Sequence, residues 1–281
     1  MINRREFTFG GVAALGYSVF TQANAQSTPP EATSSYKIRS KNPNFLKRQR
    51  GKFNKAALSS KELREHNYAI VEDFTGSAPT KYIERFELRE GDCFGKSDCR
   101  TQRERSEVMI GNSAEYGKEY WYQTYFFVPE GFHVRNCYNN VVFNFHTNYK
   151  NGKWRNTALI TPIMGGRESV TRHYAMIYNG KKRKRVKLKS YNSMVGRWNK
   201  IELNSKWHEN GFHRMYYDGQ LVMDYQGYTL GSDAQTPFMW HYGLYRGSIQ
   251  DKKKKWNLDT FPTQWAAYSG ARVSQKREGW L

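Results

Sequence analysis

Acidic side chains are scarce in this chain of 281 residues: 25 Asp and Glu stand against 45 Lys and Arg, a formal net charge of +20. Residues 1–25 hold two Arg and one Glu, so the remainder still carries +19. Such an imbalance points to a polyanionic partner: nucleic acid, anionic lipid or an acidic polysaccharide. Long apolar runs are missing beyond residue 25, which excludes a spanning helix there. Internal repeats are missing too. Helical periodicity does not separate the apolar runs, and aromatic content is 16%, with 20 Tyr and 8 Trp. Both features favour a β-rich protein over a helical bundle. Cysteines number only three: Cys93, Cys99 and Cys137.

The start, "MINRREFTFGGVAALGYSVFTQANAQS", reads as a leader and not as part of the fold. It has an Arg4-Arg5 pair, an apolar stretch from Phe7 to Phe20, and Ala23-Asn24-Ala25 as an A-x-A cleavage site. Its Arg-Arg-x-Phe order is similar to a twin-arginine export signal. The alternative, a membrane anchor, needs about 20 apolar residues, and the stretch is shorter. The expected location is periplasmic or secreted, with no membrane association once residues 1–25 are removed. Export turns the partner away from intracellular nucleic acid. It also favours oxidation, and "CFGKSDC" can close a loop between Cys93 and Cys99. Three free thiols are the alternative, and Cys137 is the odd residue in either case.

Residues 26–65 are polar and basic, which predicts a flexible arm or linker with a short helix near Ala56–Glu65. Residues 66–281 are then the folded domain. There, strand-like runs such as "YIERFELR", "EYWYQTYFFVP", "NVVFNFHT", "HYAMIYNG" and "WHYGLYRG" alternate with turn signals. This spacing predicts an all-β antiparallel sandwich or jelly roll. Asn179-Gly180, Asn210-Gly211 and Asp218-Gly219 are hairpin turn pairs. Two segments remain ambiguous or misleading. "KKRKRVKLK", Lys181 to Lys189, is either a solvated hairpin edge or a polyanion contact. "HENGFH" approaches the zinc signature H-E-x-x-H, but His208 and His213 are five apart and flank a turn, so no metal site is expected.

Three segments alternate reactive side chains along one strand face. "RERSEV" aligns Arg103, Arg105 and Glu107; "VVFNFHT" aligns Asn144 and His146; "WHYGLYRG" aligns His241, Gly243 and Tyr245. For a polyanion, that set fits β-elimination in a uronic-acid polysaccharide. Arg105 and Asn144 suit neutralisation of the C5 carboxylate. His146 suits removal of the adjacent proton, and Tyr245 suits protonation of the departing O4. The reaction requires no cofactor; a structural Ca²⁺ at a loop is compatible with it.

The order "FELREGDC…DCRTQRERSEV", "YWYQTYFFVPEGF", "FNFHT", "GRWNKIELNSKWHENGFHRMYYDGQLVMDYQG" and "YGLYRG" resembles the polysaccharide lyases of the heparin lyase I and glucuronan lyase type. It is similar in plan to the alginate lyases with R-S-E, Q-I-H and Y-F-K-A-G-x-Y motifs. The resemblance spans about residues 70–250. It implies a concanavalin A-like β-jelly roll with a concave cleft, and roles for Arg105 (carboxylate), Asn144 (neutraliser), His146 (base) and Tyr245 (acid). Arg103, Glu107, His241, Tyr125 and Arg246 complete the expected substrate-binding set. Asn144 replaces a longer Gln, and His241 sits where the alginate pattern has Lys. These departures leave glucuronan, alginate or a sulfated uronate polymer open as the substrate of a monomeric enzyme. A glycoside hydrolase on the same sandwich needs paired carboxylates, and its E-x-D-x-x-E run is absent. A lectin-like binding protein keeps the aromatics and the charge, but has no requirement for His and Tyr opposite an Arg.

Overall fold

The computed structural model describes residues 55–58, 64–111, 113–132, 140–149, 160–167, 170–179 and 182–277. The expected leader, most of the expected arm over residues 26–65, and Cys137 lie outside the described residues. Strand-forming runs pair into two seven-stranded sheets. In the first, the order is β1 (Lys55–Leu58), β4 (Glu104–Gly111), β13 (Ala234–Arg246), β6 (Asn140–Tyr149), β7 (Ile160–Arg167), β8 (Val170–Asn179) and β9 (Lys182–Ser190). In the second it is β12 (Gln220–Gly227), β11 (Gly211–Tyr217), β10 (Trp198–Lys206), β5 (Glu119–Phe127), β14 (Gln264–Ser274), β3 (Tyr82–Leu88) and β2 (Tyr68–Glu72). All pairs of named strands are antiparallel. The chain changes sheet at β1–β2, β3–β4, β4–β5, β5–β6, β9–β10, β12–β13 and β13–β14. The fold is an antiparallel β-sandwich of jelly-roll type, as the strand spacing predicts. Helix among the described residues amounts to α1 (Gly95–Arg100), α2 (Ile249–Trp256) and one 3₁₀ turn, Tyr191–Ser193.

The period-two pattern explains how the sheets face each other. Phe143 and Phe145 of β6 point between the sheets, where Phe145 lies 4.7 Å from the Tyr122 ring and 5.1 Å from that of Trp207. Each fully buried Phe contributes about 1.5–3 kcal/mol of transfer free energy. Tyr242 and Leu244 of β13 and Val108 and Ile110 of β4 fill the same layer. Consequently the alternate residues of these three neighbouring strands share the sheet's outer face. Asp218-Gly219 forms the β11–β12 turn with φ of +49° and +80°, as its sequence predicts.

One local expectation fails. Where a short helix was expected near Ala56–Glu65, Lys55–Leu58 is a strand paired with Val108–Gly111 of β4. Pairing with an open sheet edge satisfies backbone groups that a short isolated helix leaves to solvent, so tertiary context overrides local propensity.

Candidate active site

The register of the three central strands assembles the site. Across β4 and β13, Arg105 stands opposite Tyr245 and Glu107 opposite Gly243. Across β13 and β6, His241 stands opposite Asn144 and Met239 opposite His146. Arg105, Glu107, Asn144, His146, His241 and Tyr245 therefore occupy one face of one sheet, on three adjacent strands. Gly243 allows the strands to approach. A Cβ there would lie 2.3 Å from the Ser106 carbonyl oxygen and 2.8 Å from the Glu107 Cα, and its φ of +132° also favours glycine. The β13–β6 register shifts between Tyr242 and Tyr245. At that irregularity the Tyr268 hydroxyl, reaching across from β14, donates to the carbonyls of Val142 and Gly243, each at 2.8 Å.

Arg105 is held from behind. Asp98 of α1 accepts from its Nε at 2.5 Å and from its Nη2 at 3.0 Å, a bidentate pair. The Cys93–Cys99 disulfide, with Cα atoms 4.9 Å apart, closes the loop that contains Asp98. Arg105 Nη1 donates to Glu107 Oε2 at 3.3 Å, and its guanidinium carbon lies 5.0 Å from the Tyr245 ring centroid. A guanidinium has five N–H donors. These three bonds use three of the five.

Beneath this layer lies Glu107, only 1% exposed. It accepts from Asn144 Nδ2 at 3.4 Å, and its Oε2 is 3.9 Å from His241 Nδ1. Burial pushes its carboxyl up to about 7, with Asp98 reinforcing the shift and Arg105 opposing it. The rings of His146 and His241 are 4.7 Å apart. Burial, and then the charge of Arg105, brings the His146 imidazole down to about 4. His241 is also held well below the usual imidazole range, by burial first and then by His146 and Arg105. Tyr245 moves the other way: burial raises its phenol, although Arg103 and Arg105 pull it down. At neutral pH both imidazoles are uncharged and the phenol keeps its proton. Asn144 Oδ1 and both ring nitrogens of His241 are buried without a hydrogen-bond partner.

The remaining expected residues separate into three groups. Arg103 joins the cluster: a Cβ on Gly247 would sit 3.8 Å from Arg103 Cγ and 3.4 Å from the Tyr245 hydroxyl. Glu107, expected to touch substrate, is instead buried under the site, where it orients Arg105 and Asn144. Two expectations are corrected. Arg246 is fully buried and ion-paired with Glu104, and it donates to the Pro262 carbonyl at 2.6 Å and to Gln264 Oε1 at 3.1 Å. Alternation along β13 turns it inward with Tyr242 and Leu244. Tyr125 lies on β5 of the other sheet, where it packs against the outer cluster of Phe127, Trp198 and Trp265. It cannot reach a ligand on the first sheet. Asp98 was not anticipated; the available signal was an acid beside Cys99, in the loop that precedes "RERSEV".

The sequence and the fold both find relatives. The family model described as "Polysaccharide lyase" matches residues 46–261. No curated protein matches. Among solved structures, the endo-β-1,4-glucuronan lyase of the fungus Trichoderma reesei superposes with a TM-score of 0.56 at 17% identity, over 79% of this chain and 88% of that one. An alginate lyase from Pseudomonas aeruginosa gives 0.53 at 14% identity, over 81% and 96%. The alginate lyase Aly36B, in complex with an alginate trisaccharide, gives 0.52 at 13% identity, over 79% and 87%. At these identities the structures establish a shared fold, whereas the match over residues 46–261 covers most of the chain. The chain belongs to the polysaccharide lyase family and is a polysaccharide lyase.

Proposed function

We propose that this enzyme cleaves a uronic-acid polysaccharide by β-elimination on the outer face of β4, β13 and β6. The observation that carries the reading is the placement of His146, Tyr245 and Arg105 on one face of one sheet, where burial shifts the imidazole and the phenol in opposite directions. His146 is held neutral and able to accept a proton, while Tyr245 is held protonated and able to give one.

In this reading, the Arg105 guanidinium and the Asn144 amide bind the C5 carboxylate, stabilising the charge that develops there. His146 takes the C5 proton, the C4–O4 bond breaks, and the electron pair forms the C4–C5 double bond. Tyr245 protonates the departing O4. His146 ends protonated and Tyr245 as phenolate, and one proton passed between them through solvent restores both. Glucuronan and alginate are the substrates to try first, since lyases of the same fold act on them. The basic balance of the chain and its leader-like start fit an exported enzyme that meets such polymers outside the cytoplasm.

The test is incubation with a panel of acidic polysaccharides, following the ultraviolet absorbance of the unsaturated uronate. A lyase of this mechanism raises it. New reducing ends without that absorbance would indicate hydrolysis, and binding without either would indicate a lectin; both outcomes would sink the proposal.

A further inference from the structure

The basic run that the sequence leaves ambiguous forms β9, the edge strand of the same sheet that carries the candidate site. Its two faces differ. Lys184 sets its ammonium 5.7 Å from the ring centroid of Tyr225 on the second sheet, Val186 packs against the core, and Leu188 is buried in it. These three point between the sheets. Arg185 and Lys187, which alternate with them and are exposed, therefore project from the outer face, the face of Arg105 and Tyr245.

The hydrogen-bonded register fixes where on that face they stand. One cross-strand row runs from Arg105 to Tyr245, then through Val141, Ile163 and Tyr174 to Lys187. Four strand spacings separate Tyr245 from Lys187, roughly 19 Å at about 4.8 Å each. That separation is too long for one sugar residue and suits several in line. An acidic polymer seated at Tyr245 and running across the strands carries its next carboxylates over β7 and β8 toward two cations at the edge.

Resting on the lyase reading above, we infer that Arg185 and Lys187 form an outlying binding subsite for the continuing acidic polysaccharide chain. The enzyme then grips long polymer at the edge strand and cleaves it at the centre of the sheet. The bland alternative is that the charges only protect an exposed edge from pairing with another strand. That role does not distinguish the two faces of β9, and binding does.

The experiment compares the double variant Arg185→Gln/Lys187→Gln with Lys184→Gln on the inward face, and with Lys254→Gln/Lys255→Gln on α2 as a charge-matched control. Affinity electrophoresis of the full chain through gels containing sodium alginate or glucuronan reads binding without requiring turnover. The edge double variant should bind polymer roughly three- to tenfold more weakly, the scale for two exposed charge contacts, and lose part of its salt dependence. KM for polymer should rise by the same factor with kcat unchanged, and turnover of a uronate trisaccharide should stay at the wild-type level. Equal weakening in the edge and control variants would overturn the subsite, as would a wild-type chain retarded by neither polymer. Face-specific binding without any unsaturated product would retain the subsite and reject the lyase mechanism, so the two failures remain distinct.

Discussion

Two buried polar clusters lie within reach of β13, one on each of its faces. Between the sheets, Glu84 accepts from the hydroxyls of Tyr68 at 2.9 Å and Tyr242 at 2.8 Å. On the outer face, Glu107 takes Arg105 and Asn144, while Asn144 Oδ1 and both His241 nitrogens make no hydrogen bond. The two carboxylates are almost equally buried, at 1% each. Burial therefore does not separate structure from function here. Position does: Glu84 lies between the sheets with two tyrosine hydroxyls bonded to it, and Glu107 lies under the outer face, bonded to Arg105 and Asn144.

The sharpest way to break this contrast is Tyr245→Phe. It deletes one hydroxyl from the outer face and should lower kcat by roughly 10²–10⁴, the range for losing a general acid. Thermal unfolding should stay close to wild type; wild-type turnover would remove Tyr245 from the mechanism. His146→Ala should behave alike, and a protein unfolded by that change would make the face structural.

Phe145→Ala, the next residue after Asn144 and pointing the other way, should cost about 3–5 kcal/mol in denaturant unfolding through the cavity it leaves. Whatever remains folded should keep its kcat. Asn144→Ala should reduce turnover by roughly 10²–10³ with a minor loss of stability, as for one donor to a developing oxyanion. Tyr242→Phe is its counterpart in the cluster between the sheets. Depriving Glu84 of one donor should cost about 1–3 kcal/mol of stability and leave kinetics on the identified polymer unchanged.

The smallest effect concerns pH. His146 and His213 are held down to about 4 and about 3 in the fold, against 6.5 when free. Below pH 6.5 the unfolded chain takes up protons that the folded chain refuses, so these histidines make stability fall as pH drops toward 4. Glu107, held up to about 7 against 4.5, acts in the opposite direction: between pH 7 and 4.5 the folded state binds the extra proton and gains stability as pH drops. Glu107→Gln removes that compensation. A plot of Tm against pH should therefore fall more steeply on the acid side for the variant, and parallel curves would show that Glu107 does not titrate in this window.

Much of this arrangement was legible in the sequence because a strand has a period of two. "VVFNFHT" alone divides Phe143 and Phe145 from Asn144 and His146, and "WHYGLYRG" divides Tyr242 and Leu244 from His241 and Tyr245. The same rule places Arg246 on the inward side; the expectation that it binds substrate followed the motif against the alternation. Asp218-Gly219 specified its turn because both positions require positive φ. What only the tertiary structure decided is which strands are neighbours. Sheet order places β13 (Ala234–Arg246) between β4 (Glu104–Gly111) and β6 (Asn140–Tyr149), far from both in the chain, and it puts Tyr125 on the other sheet. It also lets Asp98, inside a disulfide loop, clamp Arg105, and it gives Lys55–Leu58 an edge to pair with. The physical reason is that alternation is local and costs nothing to read along the chain. Strand pairing satisfies backbone groups across long separations, and no single segment records its partner.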